Sequence, residues 1–370
     1  MQRLAVMVPD AYTGGTKLRI LQRRIKQWRS ERSEKVRDLI LGQLRRSVGD
    51  REGVAEAMSP PAQQTPSRRS KTFQVRALTT DLAVGRNERI NFSTTTTRGR
   101  VMNYSKLLIK PDSKVDLADH DPGDKSDVPA KKSERLARLA ELSAEIDALQ
   151  DLLYAGQQHQ VLVVLQGMDT SGKDGTIRQV FGAVDPLGVR AVGFRAPAGE
   201  ELAHDYLWRV HRQMPCKGEI VIFNRSHYED VLIVRVQRWI DATECTRRLR
   251  QIYEFERMLA ENGTRIVKFF LHLSKDEQRR RLQERVDEPQ KRWKFNPGDL
   301  EARKHWQDYM AAYTDALRAT STPWAPWYVV PADSKSTRNL LISTILRDLL
   351  AALKMKYPQP PQDYSHLVIE

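Results

Sequence analysis

The sequence contains few cysteines and no long apolar run. Its two cysteines, Cys216 and Cys245, lie far apart in 370 residues and form no C-x-x-C pair. This spacing argues against a disulfide framework and a cysteine zinc site, and it favours a reducing, cytoplasmic location. No stretch approaches the roughly 18 consecutive apolar residues that a membrane-spanning helix needs, so we expect no membrane partner.

Acidic residues are scarce in residues 1–101. This part carries 21 Lys and Arg against 9 Asp and Glu, which accounts for +12 of the formal charge of +14. It shows no extended apolar periodicity, and we interpret it as a basic, disordered extension. Three explanations stay open: an over-called reading frame before a true start at Met102, which we favour, an organellar transit peptide, or a nucleic-acid arm. Because no aromatic residues are interleaved with the charge, we expect no specific nucleic-acid partner.

One stretch, Val161 to Ile177, joins a predicted strand to a glycine-rich turn. Val161 to Leu165 is a short apolar run of the kind found in buried parallel strands. The turn Gly167-Met-Asp-Thr-Ser-Gly172-Lys173 fits G-x-x-x-x-G-K, in which backbone N–H groups, a lysine and a helix N-terminus attract phosphate. Asp174 stands where the usual loop has Ser or Thr. We predict a phosphate-binding loop; the alternative is a turn that binds nothing.

Four further apolar runs predict strands, and helical periodicity fills the segments between them. The predicted strands are Val161 to Leu165, Arg190 to Phe194, Glu219 to Phe223, Arg265 to Leu273 and Trp327 to Val330. The predicted helices after the loop include 200–213, 241–259, 299–317 and 337–353. This alternation predicts an α/β, three-layer fold: a five-stranded parallel sheet with helices on both faces.

The segments outside this core have separate roles. Residues 102–155 are predicted to be an arm and an amphipathic helix, with leucines at three- and four-residue steps from Leu136 to Leu152. That stripe packs either on the sheet domain or on a partner subunit, and we expect a homo-oligomer. Residues 156–358 form the predicted core, and 359–370 a tail.

Ligands bind such sheets beyond the carboxyl ends of the strands. Asp169 is unusual in a loop built for anions and predicts a metal ion, since Mg²⁺ prefers one or two carboxylates plus phosphate oxygens. The alternative is that Asp169 caps the next helix. Lys173 is expected to pair with phosphate. The other predicted phosphate- or nucleotide-binding residues are Gly167, Gly172, Asp174, Gly175, Arg178 and Asn224.

The third predicted strand ends in Asn224-Arg-Ser-His-Tyr-Glu-Asp230. Arg225 offers a planar fork to a second phosphate group. Glu229 and Asp230 are candidate magnesium ligands or acceptors for a nucleotide, and we take Asp169 and Asp230 as the metal pair. The alternative is a salt-bridge cluster of Arg225 with Glu229 or Asp230.

A basic run flanks Pro289 and Asn296-Pro-Gly. It predicts a helix–hinge–helix lid over about 279–300 rather than a solvated charged face. A mobile cationic lid neutralises charge and excludes water in phosphoryl transfer. The lid residues expected to contact phosphate are Arg281, Arg285, Lys291, Arg292 and Lys294.

With these stretches in place, the chain resembles the polyphosphate kinase 2 family. The matching stretches are Gly167 to Ile177, Pro186 to His211, Ile222 to Val236, Asp287 to Trp306 and Ala325 to Asp333. The resemblance implies a P-loop kinase core that transfers a phosphoryl group from inorganic polyphosphate to nucleotides, reversibly in principle. It implies Mg²⁺ as cofactor, with Mn²⁺ as a substitute, and AMP, ADP and ATP as ligands.

The resemblance also assigns roles to residues and marks one departure. It implies that Asp169 helps to hold magnesium, that Lys173 binds phosphate and that Arg225 follows the third strand. Many members have Asp-Arg-Ser there, but this chain has Asn224, whose amide is no anionic metal ligand; Glu229 or Asp230 is expected to compensate. This form is similar to the subgroup that phosphorylates both AMP and ADP. The competing hypotheses are an ATP-dependent nucleotide kinase and a non-enzymatic polyanion or nucleic-acid binder.

Overall fold

The computed structural model describes residues 102–369 of the chain. The predicted extension 1–101 lies outside the described residues, so its disorder and the start at Met102 stay predictions. Among residues 102–369, none of the helices combines the length and apolarity that crossing a bilayer requires.

Six strands form one mixed sheet in the order β1-β6-β5-β2-β4-β3. They are β1 (Leu108–Ile109), β2 (Gln160–Gln166), β3 (Val189–Gly193), β4 (Ile220–Asn224), β5 (Thr264–His272) and β6 (Trp327–Pro331). β2 to β6 pair in parallel, which confirms the five predicted strands. β1 is a sixth strand, antiparallel to β6, that we did not predict. Two residues are too few to show a period, and only pairing with β6 makes this segment a strand.

Nine α-helices lie in the described part of the chain. They are α1 (Lys132–Gly156), α2 (Lys173–Val180), α3 (Trp208–His211), α4 (Ile233–Val236), α5 (Ala242–Glu261), α6 (Lys275–Asp287), α7 (Pro297–Lys304), α8 (Trp306–Thr320) and α9 (Lys335–Ala352). Two of these helices begin at side-chain caps: Asp241 accepts from the Glu244 N–H at the start of α5, and Ser274 accepts from the Glu277 N–H at the start of α6.

Helices cover both faces of the sheet. Along β2, Val161, Val163 and Leu165 face a core shared with α1, α2 and α9, while Leu162 and Val164 face the core of α5 and α8. The α/β three-layer prediction is therefore confirmed. The leucine stripe of α1 packs against α9 within the same chain, which is the first of the two predicted alternatives.

Two predicted helices are wrong in extent. In place of one helix over 200–213, the chain forms a 3₁₀ turn at Gly199–Ala203 and the four-residue α3. Asp205 lies between the two pieces, and its carboxylate accepts from the Leu207 and Trp208 N–H groups, at 3.0 and 3.1 Å, so it caps the start of α3 instead of continuing the first piece. The predicted helix over 299–317 is broken at His305 into α7 and α8.

A charged cluster lies inside the second core. The Lys268 ammonium is fully buried in β5 and donates to Glu256, at 2.5 Å, to the Tyr228 hydroxyl and to the Thr320 carbonyl. His227 also contacts Glu256, at 3.2 Å. Burial lowers the pKa of Lys268 to about 8, although the negative charge of Glu256 acts to raise it. The turn after β4, which contains Tyr228, is thereby attached to β5, α5 and α8.

Replacing Glu256 with alanine should lower the free energy of unfolding by about 3–5 kcal/mol, because Lys268 would keep a buried charge without its partner. Chemical denaturation measures this. Glu254→Ala, on the exposed side of the same helix, is the control and should stay within about 0.5 kcal/mol of wild type. A loss for Glu256→Ala as small as the control's would contradict this account.

Candidate active site

The loop between β2 and α2 has the backbone of a phosphate-binding turn. Gly167 and Gly172 have φ values of +150° and +102°, which residues other than glycine rarely adopt. A Cβ on Gly167 would lie 2.8 Å from the Leu271 carbonyl oxygen, so the loop passes too close to β5 for any other residue. Thr170 also has a positive φ, +66°, which is uncommon for a β-branched residue. The loop therefore has one strained shape that its neighbours must hold.

Lys173 lies at the first position of α2 and is almost fully buried. Its ammonium donates to the Gly167 carbonyl at 2.6 Å and to the Met168 carbonyl at 3.3 Å. Burial, and then the charge of Arg225, lowers the pKa of Lys173 to about 8. The ammonium has no carboxylate partner among the described residues, so it remains available to an anion in the loop.

Asp169 and Arg225 join the loop to the end of β4. The guanidinium of Arg225 donates to Asp169 at 2.5 Å and to Glu229 at 3.3 Å. Glu229 is itself held by the Gln166 amide at 3.0 Å. Of the two salt bridges considered for Arg225, the one with Glu229 is present. Asp169 pairs with Arg225 and does not cap α2, because the N-cap of α2 is Gly172.

The predicted metal role of Asp230 does not fit its position. Its carboxylate lies 3.6 Å from Arg209 and 3.8 Å from Arg248, and Asp230 does not line the cavity over the loop, as Asp169 does. Burial raises its pKa in spite of these arginines. Asn224 donates to Asp174 at 2.7 Å and so orients the residue after Lys173.

The first turns of the lid helix α6 are fixed to the loop. All five N–H donors of Arg281 find protein acceptors: Glu277 and the carbonyl oxygens of residues 170, 171, 332 and 333, at 2.7–3.3 Å. The Gln278 amide donates to the Asp169 carbonyl at 3.1 Å. Arg281 therefore holds the strained Thr170 in place and has no donor left for phosphate, contrary to the prediction.

The other predicted lid cations divide into two groups. Arg285 pairs with Asp299 at 3.0 Å, and Lys291 pairs with Glu284 and Glu288. Arg292 donates to a backbone carbonyl and does not line the cavity over the loop. Lys294 lines that cavity without a carboxylate partner in the described chain.

One cavity of about 620 Å³ unites most of the predicted site. Ten cationic side chains line it against four acidic ones, Asp169, Asp174, Glu284 and Asp299. Among the described residues, six of these cations have no carboxylate within 4.0 Å: Lys173, Arg178, Arg195, Lys294, Lys335 and Arg338. Gly172, Gly175 and Asn224 line it too, whereas Gly167, Glu229 and Asp230 do not.

Sequence reasoning missed Phe194, Arg195, Asp299, Lys335 and Arg338, which all line this cavity. Arg195 follows β3, and Lys335 follows β6. Extending the rule that ligands bind at strand carboxyl ends to every strand would have pointed to those two. No sequence signal distinguishes Asp299. Burial, and then the charge of Asp169, raises the pKa of Asp299 to about 6.

Comparison with known proteins assigns the chain to a family. The family model described as polyphosphate kinase 2 matches residues 129–360. An AMP/ADP-polyphosphate phosphotransferase of Meiothermus ruber is 56% identical over 265 residues, which span 72% of this chain and 99% of that protein. The chain belongs to the polyphosphate kinase 2 family. An ADP-polyphosphate phosphotransferase of Rhodopseudomonas palustris is 48% identical over 57% of this chain and 77% of its own length.

A solved structure gives the same assignment. The crystal structure of polyphosphate kinase 2 from Arthrobacter aurescens is 41% identical and superposes with a TM-score of 0.69, covering 74% of this chain and 96% of that one. A second family model, the Y4rL C-terminal three-helix bundle domain, matches residues 1–47, which lie outside the described residues. The family resemblance inferred from the motifs is thus confirmed.

The pKa of Lys173 predicts a pH-dependent affinity for phosphate chains. Its charged form attracts anions, so the affinity for tripolyphosphate without divalent ions should fall as the pH rises through about 8. Lys173→Arg stays charged throughout and should lack this fall. Calorimetric titrations at several pH values test this; equal pH dependence in both proteins would contradict the assignment of Lys173.

Proposed function

We propose that this chain transfers a phosphoryl group from inorganic polyphosphate to AMP and to ADP, reversibly in principle. The observation that carries the proposal is the surplus of cations in one cavity beside a phosphate-binding loop, since six of them have no carboxylate partner within residues 102–369. A long polyanion supplies the missing negative charge, whereas a single nucleotide needs fewer cations. The printed name of the Meiothermus ruber relative agrees with this pair of acceptors. Neither an ATP-dependent nucleotide kinase nor a nucleic-acid binder is favoured.

The sheet order separates two sides of the cavity. β2 carries the loop at the centre; the segments after β4 and β3 lie on one side, and those after β5 and β6 lie on the other. The first side includes Gly193 and Phe194, an uncharged surface that suits a nucleoside. The second includes the lid, Lys335 and Arg338, which suit a phosphate chain. We place the acceptor nucleotide on the first side and polyphosphate on the second.

The chain's own residues then orient and stabilise the transfer. Lys173 and the N-terminus of α2 bind the donor's terminal phosphate, and Arg225 binds the acceptor's phosphate, which attacks in line. Asn224 and Glu229 keep their neighbours in position, while the lid covers the cavity and excludes water. No strong base is needed, because the attacking phosphate oxygen is already anionic; His227 is buried against Glu256.

Magnesium fits two carboxylates of this cavity. Asp169 and Asp299 both line it, and the charge of one affects the pKa of the other. No group of three or more candidate ligands occurs in residues 102–369, which agrees with an ion that takes one or two carboxylates plus phosphate oxygens. Asp169 and Asp299 would hold it, and Asp230 would not. When bound, Mg²⁺ supplies positive charge to the phosphate oxygens of donor and acceptor.

A reducing, cytoplasmic setting suits this function. Both cysteines of the described chain are free, and Cys216 is exposed. An exposed thiol persists where the surroundings are reducing.

The choice of donor tests the proposal directly. Purified protein with Mg²⁺, AMP and long-chain polyphosphate should form ADP and then ATP, whereas ATP as donor for AMP should give a much lower rate. The physical reason is that a short donor leaves the lid-side cations without counter-charge. Chromatography of the nucleotides measures both rates. An ATP rate equal to or above the polyphosphate rate would refute the proposal and favour an ordinary nucleotide kinase.

Asp169→Asn should reduce the rate of transfer by about 100-fold or more, because it removes an anionic magnesium ligand and the partner of Arg225. Asp276→Asn, an exposed acid on α6, is the control and should keep the wild-type rate. Circular dichroism should show both variants folded. Near wild-type, magnesium-dependent transfer by Asp169→Asn would remove its assigned role.

A further inference from the structure

Two buried arginines on α9 differ in how their charge is balanced. Arg347 is 9% exposed and pairs with Glu145 at 2.5 Å and with Asp348 at 2.7 Å. Arg338 is 2% exposed and has no carboxylate within 4.0 Å among residues 102–369. Buried charges in proteins are normally paired, because removing an ion from water is expensive. Arg338 is therefore an exception that needs a counter-charge from outside the described chain.

The donors of Arg338 are only partly used. Nη1 donates to the Ser171 carbonyl at 2.9 Å, while Nε and Nη2 both donate to the Asn339 side-chain oxygen, at 3.1 and 2.9 Å. A guanidinium has five N–H groups, so one on each terminal nitrogen has no partner among residues 102–369. In Arg281, by contrast, protein acceptors take all five.

The free edge of this guanidinium lies at the phosphate loop. A Cβ placed on Gly172 would come within 2.0 Å of Nη1, and one on Gly175 within 3.5 Å of Nη2. Arg338 also lines the cavity that contains Lys173 and Lys335. Burial, together with the nearby charge of Arg281, lowers the pKa of Arg338 to about 9, as expected for a cation that lacks an anion.

We propose that Arg338 binds the phosphate chain of the donor, and that this anion is the missing counter-charge of its guanidinium. Its two unused N–H groups donate to phosphate oxygens at the loop, on the side of the sheet that carries β6 and α9. The glycine at position 172 leaves room for the guanidinium to lie against the loop. The inference rests on the proposed function and adds to it a donor-binding residue outside the loop and the lid.

A paired comparison of Arg338→Met and Arg347→Met tests the proposal. In the free protein, Arg338→Met should leave the midpoint of thermal unfolding unchanged or raise it, because it removes an unpaired buried charge. Ser171 and Asn339 keep other donors, from Arg281 and Thr176. Arg347→Met should lower the midpoint, since Glu145 and Asp348 each lose one salt bridge, although Glu145 keeps Arg138.

Tripolyphosphate is the probe for binding. Arg338→Met should bind it about tenfold or more weakly than wild type, with a smaller ligand-induced rise in the unfolding midpoint. Arg347→Met should keep wild-type affinity. Affinity for AMP should be unchanged in both variants, since we place the nucleotide on the other side; a loss confined to AMP would overturn the assignment to the donor chain.

Two further results would overturn the proposal. One is wild-type tripolyphosphate affinity in Arg338→Met; the other is a fall of its free-protein midpoint that matches Arg347→Met, which would give Arg338 a structural role. If Arg338→Met does not fold, Arg338→Lys decides: it keeps the charge but loses the planar fork, and wild-type affinity there would exclude the two-donor contact. Polyphosphate-dependent ADP formation by wild type, measured in parallel, tests the proposed function separately.

Discussion

Repulsion among cations gathered around one cavity is the constraint on which this structure depends. Ten positive side chains surround the phosphate loop, and each must be balanced by a carboxylate, by backbone carbonyls or by a ligand. Arg225, Arg281, Arg285 and Lys291 have acidic partners within the chain. The remaining six have no carboxylate partner among residues 102–369, so an anion that enters the cavity meets positive charge that no acidic side chain neutralises, and its binding stabilises the folded protein.

The same charges divide the lid into a fixed part and a covering part. Arg281 and Gln278 connect the first half of α6 to the loop backbone, so this half belongs to the rigid frame that holds the strained Thr170. Beyond α6, the 3₁₀ turn Arg292–Lys294 and α7 carry Lys294 and Asp299 over the cavity. The shape of the loop and the position of the lid are therefore coupled through hydrogen bonds. Because the acceptors are backbone carbonyls of the loop, changing the charge of a loop side chain would leave these bonds in place.

The buried cluster around Lys268 stabilises the turn that carries Arg225 into the site. It ties the turn after β4, which begins at Arg225, to β5 and α5 through Tyr228 and Glu256. Arg225 itself has a positive φ of 62°, a conformation that persists only when its surroundings hold it. A polar cluster with this many partners holds one geometry, whereas an apolar core of the same volume tolerates several.

Local patterns in the sequence determined much of the fold: the five parallel strands, the glycine-lysine loop, and the caps at Asp241 and Ser274 all follow from neighbouring residues. Charge pairing did not follow, because it depends on distances between segments far apart in the chain. Only the tertiary structure decided that Asp230 faces two arginines and that the N–H groups of Arg281 all donate to Glu277 and backbone carbonyls. It also decided that Arg338 has no carboxylate partner in the described part of the chain. It likewise decided that Leu108–Ile109 is a strand, since two residues carry no period and need β6 beside them.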